Sequence, residues 1–319
     1  MVEDLAPLHP FEYPLAVSQS QFLDAAVVLI GHGSSKNDRS GEAVYQQAQE
    51  LRQRKIFSEV REAFWKQDPK LLEIVNKVGT SRVFFVPMFV SEGYFSEGVI
   101  PKALGFDLIH CRRRREETLT GSAMEPPSSA EKHKLESPHV VSHREWFYCQ
   151  PVGTHERMRD VLLGRAGQVI KQFPFPRAPK EAEITLFVAG HGTVQDENSR
   201  KSIERQADLI RGLNCYAAVH AVFLEEEPKI SSCYDLAKTK NLVVVPFFIG
   251  EGMHVQEDIP ILLGEPKRIV KKRLQEGKAP WRNPTERKGK LVWYAESVGS
   301  DRALADVILE RVREAATEG

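Results

Sequence analysis

Three residues in the second half of the chain have side chains that could do metal or proton chemistry together. His191 follows the first strand of that half, Glu225 ends the second in FLEEEP, and His254 lies in the loop GEGMHVQEDIP after the third. Residues placed directly after strands meet at the carboxyl edge of an open parallel sheet, where such sheets bind ligands. Two imidazoles and a carboxylate at one edge can hold a divalent first-row metal such as cobalt, iron or nickel. They can also exchange protons near neutral pH.

The same three positions occur once before, 159 residues earlier, with different contents: His32, Lys66 and Phe95. An ammonium and a phenyl ring cannot replace a carboxylate and an imidazole at a metal. The offset relates GHGSSKNDRS at Gly31 to GHGTVQDENS at Gly190, and it holds through Phe64 and Phe223, Pro87 and Pro246, Glu92 and Glu251, and Leu104 and Leu263. It resumes at a new value of 146, where Tyr148 and Gly153 match Tyr294 and Gly299, so the first half carries 13 more residues in that connection. This is an internal duplication with one complete centre, in the second half, and a first half that supplies scaffold and a cleft wall.

The elements that position these residues follow from periodicity. Short β-branched runs at Ala25 to Ile30, Glu59 to Trp65 and Arg82 to Val90 read as strands, as do their counterparts at Ala217 to Leu224 and Leu242 to Ile249. Between them run amphipathic stripes, Val44, Ala48 and Leu51 in one half and Ile203, Ala207 and Ile210 in the other. A further amphipathic helix closes each half, marked by Met158, Val161, Leu162, Val169 and Ile170, and by Leu304, Val307, Ile308 and Val312. Alternation of strand and helix predicts an α/β fold: two tandem doubly wound parallel-sheet domains of flavodoxin/Rossmann type, related by duplication. The expected division is an arm over 1–21, a first domain over 22–175 and a second over 182–319. Residues of about 107–145, charged and rich in Ser and Pro, read as an exposed insertion in the first domain.

Composition excludes several classes. The chain has 319 residues, 41% of them apolar and 28% charged, with 44 basic and 44 acidic side chains, so it carries no general pull toward nucleic acid or an anionic membrane. No apolar run approaches the roughly 20 residues that span a bilayer, and the acidic, proline-containing start does not resemble a signal peptide; a cytosolic protein is expected. Cys111, Cys149, Cys215 and Cys233 form no CxxC pair, which argues against a zinc ribbon or an iron–sulfur motif.

Taken together, GHGT, FLEEEP, VVVPFFIGEGMHVQEDIP and YAESVG resemble the small class II tetrapyrrole chelatases, the sirohydrochlorin cobalt, nickel or iron chelatases of cobalamin and siroheme synthesis. The resemblance covers nearly the whole chain except the arm and the insertion. It implies two lobes facing a cleft that receives a tetrapyrrole, with His191 and His254 binding metal and accepting protons and Glu225 as their acidic partner. It implies no organic cofactor; the divalent metal (Co2+, Fe2+ or Ni2+) is a substrate. Since one chain supplies both lobes, a monomer is expected.

Other residues have plainer readings beside the functional one. GHG can be a tight turn with its histidine bonded to a carbonyl. Any of Glu225, Glu226 and Glu227 could face the cleft, although the resemblance singles out Glu225. Asp258 and Gly252 are expected to shape the loop and cap the next helix. Glu92 and Glu251, with His32, are candidate cleft residues, and Arg112, Arg113, Arg114 and Arg115 could steer a polycarboxylate substrate. His133, His139 and His143 read as incidental. Two rival functions use the same residues. One is a metal or tetrapyrrole carrier or sensor without turnover; the other is a two-His-one-carboxylate iron oxygenase, which would leave the repeat and YAESVG without a role.

Overall fold

The computed structural model describes residues 21–34, 41–106, 145–193 and 197–318. The N-terminal arm up to residue 20, Cys111, Arg112 to Arg115, His133, His139, His143 and most of the expected insertion lie outside the described residues.

The first half runs β1 (Ala25–Gly31), α1 (Glu42–Arg54), β2 (Glu59–Phe64), α2 (Leu71–Val75), β3 (Arg82–Pro87), α3 (Ile100–Ala103), β4 (Glu145–Tyr148) and α4 (Met158–Gln172). The second runs β5 (Ile184–Gly190), α5 (Glu197–Arg211), β6 (Ala218–Phe223), α6 (Cys233–Leu236), β7 (Asn241–Pro246), α7 (Ile259–Leu262), α8 (Lys267–Gln275), β8 (Thr285–Arg287), β9 (Lys290–Tyr294) and α9 (Leu304–Glu318). The sheets have strand orders β2-β1-β3-β4 and β6-β5-β7-β9-β8. All pairings are parallel except that of the edge strand β8. Two doubly wound sheets in tandem are therefore present, as the alternation predicts.

The central strands are covered on both faces, which is why they read as unbroken apolar runs. In β1, Ala25, Val27 and Leu29 face one hydrophobic cluster while Ala26, Val28 and Ile30 face another. In β5, Ile184, Leu186 and Val188 join the first of these clusters, and Phe187 and Ala189 face a third. The largest cluster is thus continuous through both halves, with one further cluster on the outer face of each sheet.

Three features differ from the expected elements. β3 and β7 stop at Pro87 and Pro246 rather than running on to Val90 and Ile249. Proline has no N–H to continue a ladder, although Met88, Val90 and Ile249 still pack into the shared core. The second half also gains α8 and the antiparallel strand β8, neither of which was evident in the repeat. Finally, the closing helices do not cover their own halves. α4 packs against β7 and β9 of the second sheet, and α9 packs against β3 and β4 of the first. Their apolar faces are those expected, but each is buried against the other lobe.

Polar contacts repeat this exchange with near twofold symmetry. The buried amide of Gln47 donates to the carbonyls of Gly299 and Asp301 at 2.9 and 2.8 Å, and its counterpart Gln206 donates to those of Gly153 and His155 at 3.2 and 3.0 Å. Arg165 Nε donates to Ser297 O at 2.9 Å, and its counterpart Arg311 Nε to Pro151 O at 3.2 Å.

Candidate metal centre

Parallel pairing of β5 with β6 sets Gly190 beside Phe223, so the residues that follow leave the sheet together. The amide of Glu225 donates to His191 O at 3.2 Å, and that of Leu224 to Gly190 O at 3.1 Å. Gly192 takes φ +58, the left-handed conformation that turns the chain sharply after the histidine. The tight turn and the projecting histidine are thus parts of one device. His191 Nε2 stands 3.6 Å from Glu225 Oε1, close enough for electrostatic contact and for a shared cation.

His254 is brought to the same edge by the loop after β7. It opens one turn of π-helix, His254–Asp258, which runs into α7; such wide turns recur at functional sites. The rings of His191 and His254 have centroids 5.0 Å apart and are inclined at 74°. All three side chains remain open to solvent, His191 by 33%, His254 by 46% and Glu225 by 54%. Among the described residues no three His, Cys, Asp or Glu side chains form a ready-made metal cage. The arrangement is an open cluster at the sheet edge.

The three glutamates of FLEEEP have separate surroundings. Glu225 lies beside His191, Glu226 is ion-paired with Arg200 at 2.9 Å, and Glu227 accepts from the amide of Lys229 at 3.0 Å. Asp258 makes no side-chain cap to α7. Instead its Oδ2 lies 2.7 Å from His254 Nδ1. This corrects the capping role expected for Asp258: the wide π-turn brings its carboxylate round to the ring. Carboxylates so placed hold Nδ1 as the protonated nitrogen and leave Nε2 free as a lone-pair donor.

Tyr294 and Glu251 hold the loop in place. The buried Tyr294 hydroxyl donates to Val255 O at 2.8 Å, next to His254, and burial raises its pKa well above 10. Glu251 accepts from the Ser297 amide at 2.9 Å and from Gln256 at 2.8 Å, so it braces the loop against YAESVG. Its match Glu92 is partly buried in the equivalent loop. The tyrosine match between the halves was the available signal for this tether, since Tyr148 likewise donates to Ser96 O at 2.6 Å.

The first half repeats the geometry with other chemistry. His32 and Phe95 have ring centroids 4.6 Å apart at 85°, close to the histidine pair of the second half. Lys66 Nζ lies 5.8 Å from the Phe95 centroid. Partial burial, with the charge of Lys66 adding to it, lowers the pKa of His32 although its bond to Gly33 O opposes the shift. Val99 stands where Asp258 stands in the second half, so the histidine and its carboxylate are replaced together.

A cavity of about 390 Å3 lined by Phe173, Trp281, Asn283 and Tyr294 lies behind this edge, and none of the three candidate ligands lines it. The candidate residues lie on the open edge rather than in that cavity.

Two lobes exchanging their closing helices, with an exposed pair of imidazoles and a carboxylate at the carboxyl edge of one sheet, define a duplicated α/β protein. The chain belongs to the CbiX family, whose model matches residues 26–169 and again 185–315. It is 36% identical over 290 residues to a probable sirohydrochlorin cobaltochelatase of Halobacterium salinarum, covering 91% of each chain. A sirohydrochlorin cobaltochelatase of Methanococcus aeolicus is 30% identical over 145 residues, 44% of this chain but 96% of its own, so one half here corresponds to a whole relative. Among solved structures, a multi-domain protein of Deinococcus radiodurans described as similar to chelatases superposes with TM-score 0.64 at 25% identity, covering 90% of this chain and 54% of its own. SirB from Bacillus subtilis with Fe3+ shares the fold, with TM-score 0.58 at 16% identity, covering 92% of this chain and 96% of its own. No helix among the described residues is long and apolar enough to cross a membrane.

Proposed function

We propose that this chain is a metal chelatase that inserts a divalent ion, Co2+ or Fe2+ first, into sirohydrochlorin or a closely similar tetrapyrrole, with His191, Glu225 and His254 as its centre. The observation that carries the reading is the convergence of these three side chains at one sheet edge, while the equivalent edge holds Lys66 and Phe95. The family and its named relatives supply the reaction class.

Insertion exchanges one M2+ for two pyrrole N–H protons. A site for it must bind the ion weakly enough to release it and must offer bases near the ring. Open imidazole and carboxylate ligands meet the first need better than a closed four-ligand cage. Neutral imidazoles meet the second, since their proton affinity lies near working pH. In this reading Glu225 offsets the charge of the ion and of any imidazolium formed, and Asp258 keeps His254 Nε2 turned outward. No organic cofactor takes part.

The test is an anaerobic absorbance time course of sirohydrochlorin with Co2+ or Fe2+, for wild type, His254→Ala and His32→Ala. Turnover above the spontaneous rate, lost in His254→Ala and largely kept in His32→Ala, is the expected result. Stoichiometric binding with no rate above background for any metal would replace the enzyme by a carrier.

A further inference from the structure

The first-half edge is rebuilt rather than merely emptied. Relative to the second half, Leu224 becomes Trp65, Glu225 becomes Lys66, Met253 becomes Tyr94, His254 becomes Phe95 and Asp258 becomes Val99. Every acid and one imidazole are gone, and three aromatic rings and a cation stand in this set of positions. Phe95 is the hub. Its centroid lies 5.4 Å from that of Tyr94, 6.5 Å from that of Trp65 and 4.6 Å from that of His32. Tyr94 is 76% exposed and offers most of its ring to solvent beside Phe95. Lys66 is exposed, and among the described residues no carboxylate pairs with it.

The carboxyl edges of both sheets open on the lobe junction. Ser202, near the start of α5, donates to Val90 O just beyond β3 at 2.5 Å. Reciprocally, Glu42 and Gln46 in the first turns of α1 line a groove with Glu251, Gln256 and Glu296 of the second lobe. The aromatic edge and the histidine edge therefore belong to one junction.

We propose that Trp65, Tyr94, Phe95 and Lys66 form the platform that binds the tetrapyrrole: the exposed Tyr94 ring packs on the face of the macrocycle, Phe95, inclined at 77° to Tyr94 and 62° to Trp65, supports it edge-on, and the ammonium pairs with a peripheral carboxylate. This rests on the chelatase reading and deepens it. A flat conjugated ring bearing carboxylates is the ligand class that both features fit. Stacking of a planar heterocycle on aromatic side chains is sequence-tolerant and strong, and a cation beside the rings gives the anionic rim its register. Loss of the carboxylates at positions 66 and 99 also removes two charges that would repel that rim, although Glu92 and Glu97 stand in the same loop. The two halves thereby divide the work, the first holding the ring and the second presenting the ion.

The experiment is an anaerobic absorbance titration of the full chain with metal-free sirohydrochlorin, repeated for Tyr94→Ala and Lys66→Ala, with steady-state turnover measured on the same proteins. Both side chains are exposed, so neither change threatens folding; circular dichroism checks this. Tyr94→Ala is expected to raise Kd and KM for the macrocycle roughly tenfold, as loss of a stacking ring does. Lys66→Ala is expected to raise both about three- to fivefold, with the difference shrinking in high salt. In both, kcat at saturating macrocycle stays within about twofold, because the ring platform is separate from the ion's ligands. Kd and KM within twofold of wild type in both variants, with turnover intact, would overturn the platform and leave the chelatase standing. Weakened binding in the variants of a wild type that shows no turnover would keep the platform and remove the chelatase. A wild type that neither binds nor turns over the macrocycle would remove both.

Discussion

His254 Nδ1 lies 2.7 Å from Asp258 Oδ2 across a single turn of π-helix. In the first half both partners are absent together, as Phe95 and Val99, although the following Ile-Pro is kept. The carboxylate therefore goes with the ring and not with the turn.

Asp258→Ala is expected to cost about 10- to 100-fold in metal-dependent turnover, the range found when a carboxylate behind a ligating histidine is removed. Placed on a His254→Ala background, the same change should add less than about twofold, since its partner is already gone. A further large loss on that background, accompanied by a fall in Tm, would show that Asp258 acts by supporting the loop.

The neighbouring glutamates separate in the same way. Glu225→Gln should lower turnover by roughly 100-fold, as expected for a group that handles ion and proton. Glu226→Gln removes only a partly exposed ion pair with Arg200. It should leave turnover within about twofold and cost about 0–1 kcal/mol of stability by chemical denaturation. Equal losses of turnover in the two variants would show that the acidic run acts as a whole.

Much of this was legible in the sequence, for identifiable reasons. β1 announces itself because a strand buried on both faces has no polar position to interrupt it, and the constant offset aligns His32 with His191 and Phe95 with His254. The choice among Glu225, Glu226 and Glu227 was not legible, because it depends on where Arg200 and the Lys229 amide lie in space. The exchange of α4 and α9 was hidden for a similar reason. A stripe such as Leu304, Val307, Ile308 and Val312 states that a face is buried but not which sheet buries it. The partnership of Asp258 with His254 could have been found, since the joint loss of Asp and His at a fixed offset was already written in the repeat.

Gly299 tests the element that carries Tyr294. Its amide donates to Phe248 O at 3.3 Å, and a Cβ at this position would overlap the Ile249 carbonyl. Gly299→Ala must push the chain away from the end of β7, and with it the tether on the His254 loop. A loss of at least ~2 kcal/mol is expected, seen as a Tm lower by about 4 °C or more. Gly252→Ala is the control in the same region, because a Cβ there meets nothing within 4 Å; its Tm should move by less than about 1 °C. Equal shifts in the two variants would mean that close approach at Gly299 is not what demands glycine.

The last prediction concerns the lobe junction and pH. His155 is only 8% exposed. Its Nδ1 accepts from the Arg157 amide at 3.1 Å, and its Nε2 lies 3.3 Å from Glu314 Oε1. Burial, then the Arg311 guanidinium, lowers its pKa; Glu314, Glu310 and Glu156 oppose the shift without cancelling it. A proton on Nδ1 would also face the Arg157 N–H, which is already pointed at that nitrogen. With the folded value below the unfolded value of about 6.5, the unfolded chain takes the proton first as pH falls. The contribution of His155 to stability is therefore complete above about pH 6.5 and declines as pH drops through that value toward the folded pKa. Because the residue sits where α4, α5 and α9 cross between lobes, the loss should appear in the cooperative unfolding of the whole chain. Thermal unfolding at pH 7.5 and 5.5 should show a larger fall in Tm for wild type than for His155→Gln, which keeps a polar side chain but has no proton to take up. Equal falls would place the acid sensitivity elsewhere and make His155 a neutral spacer at the junction.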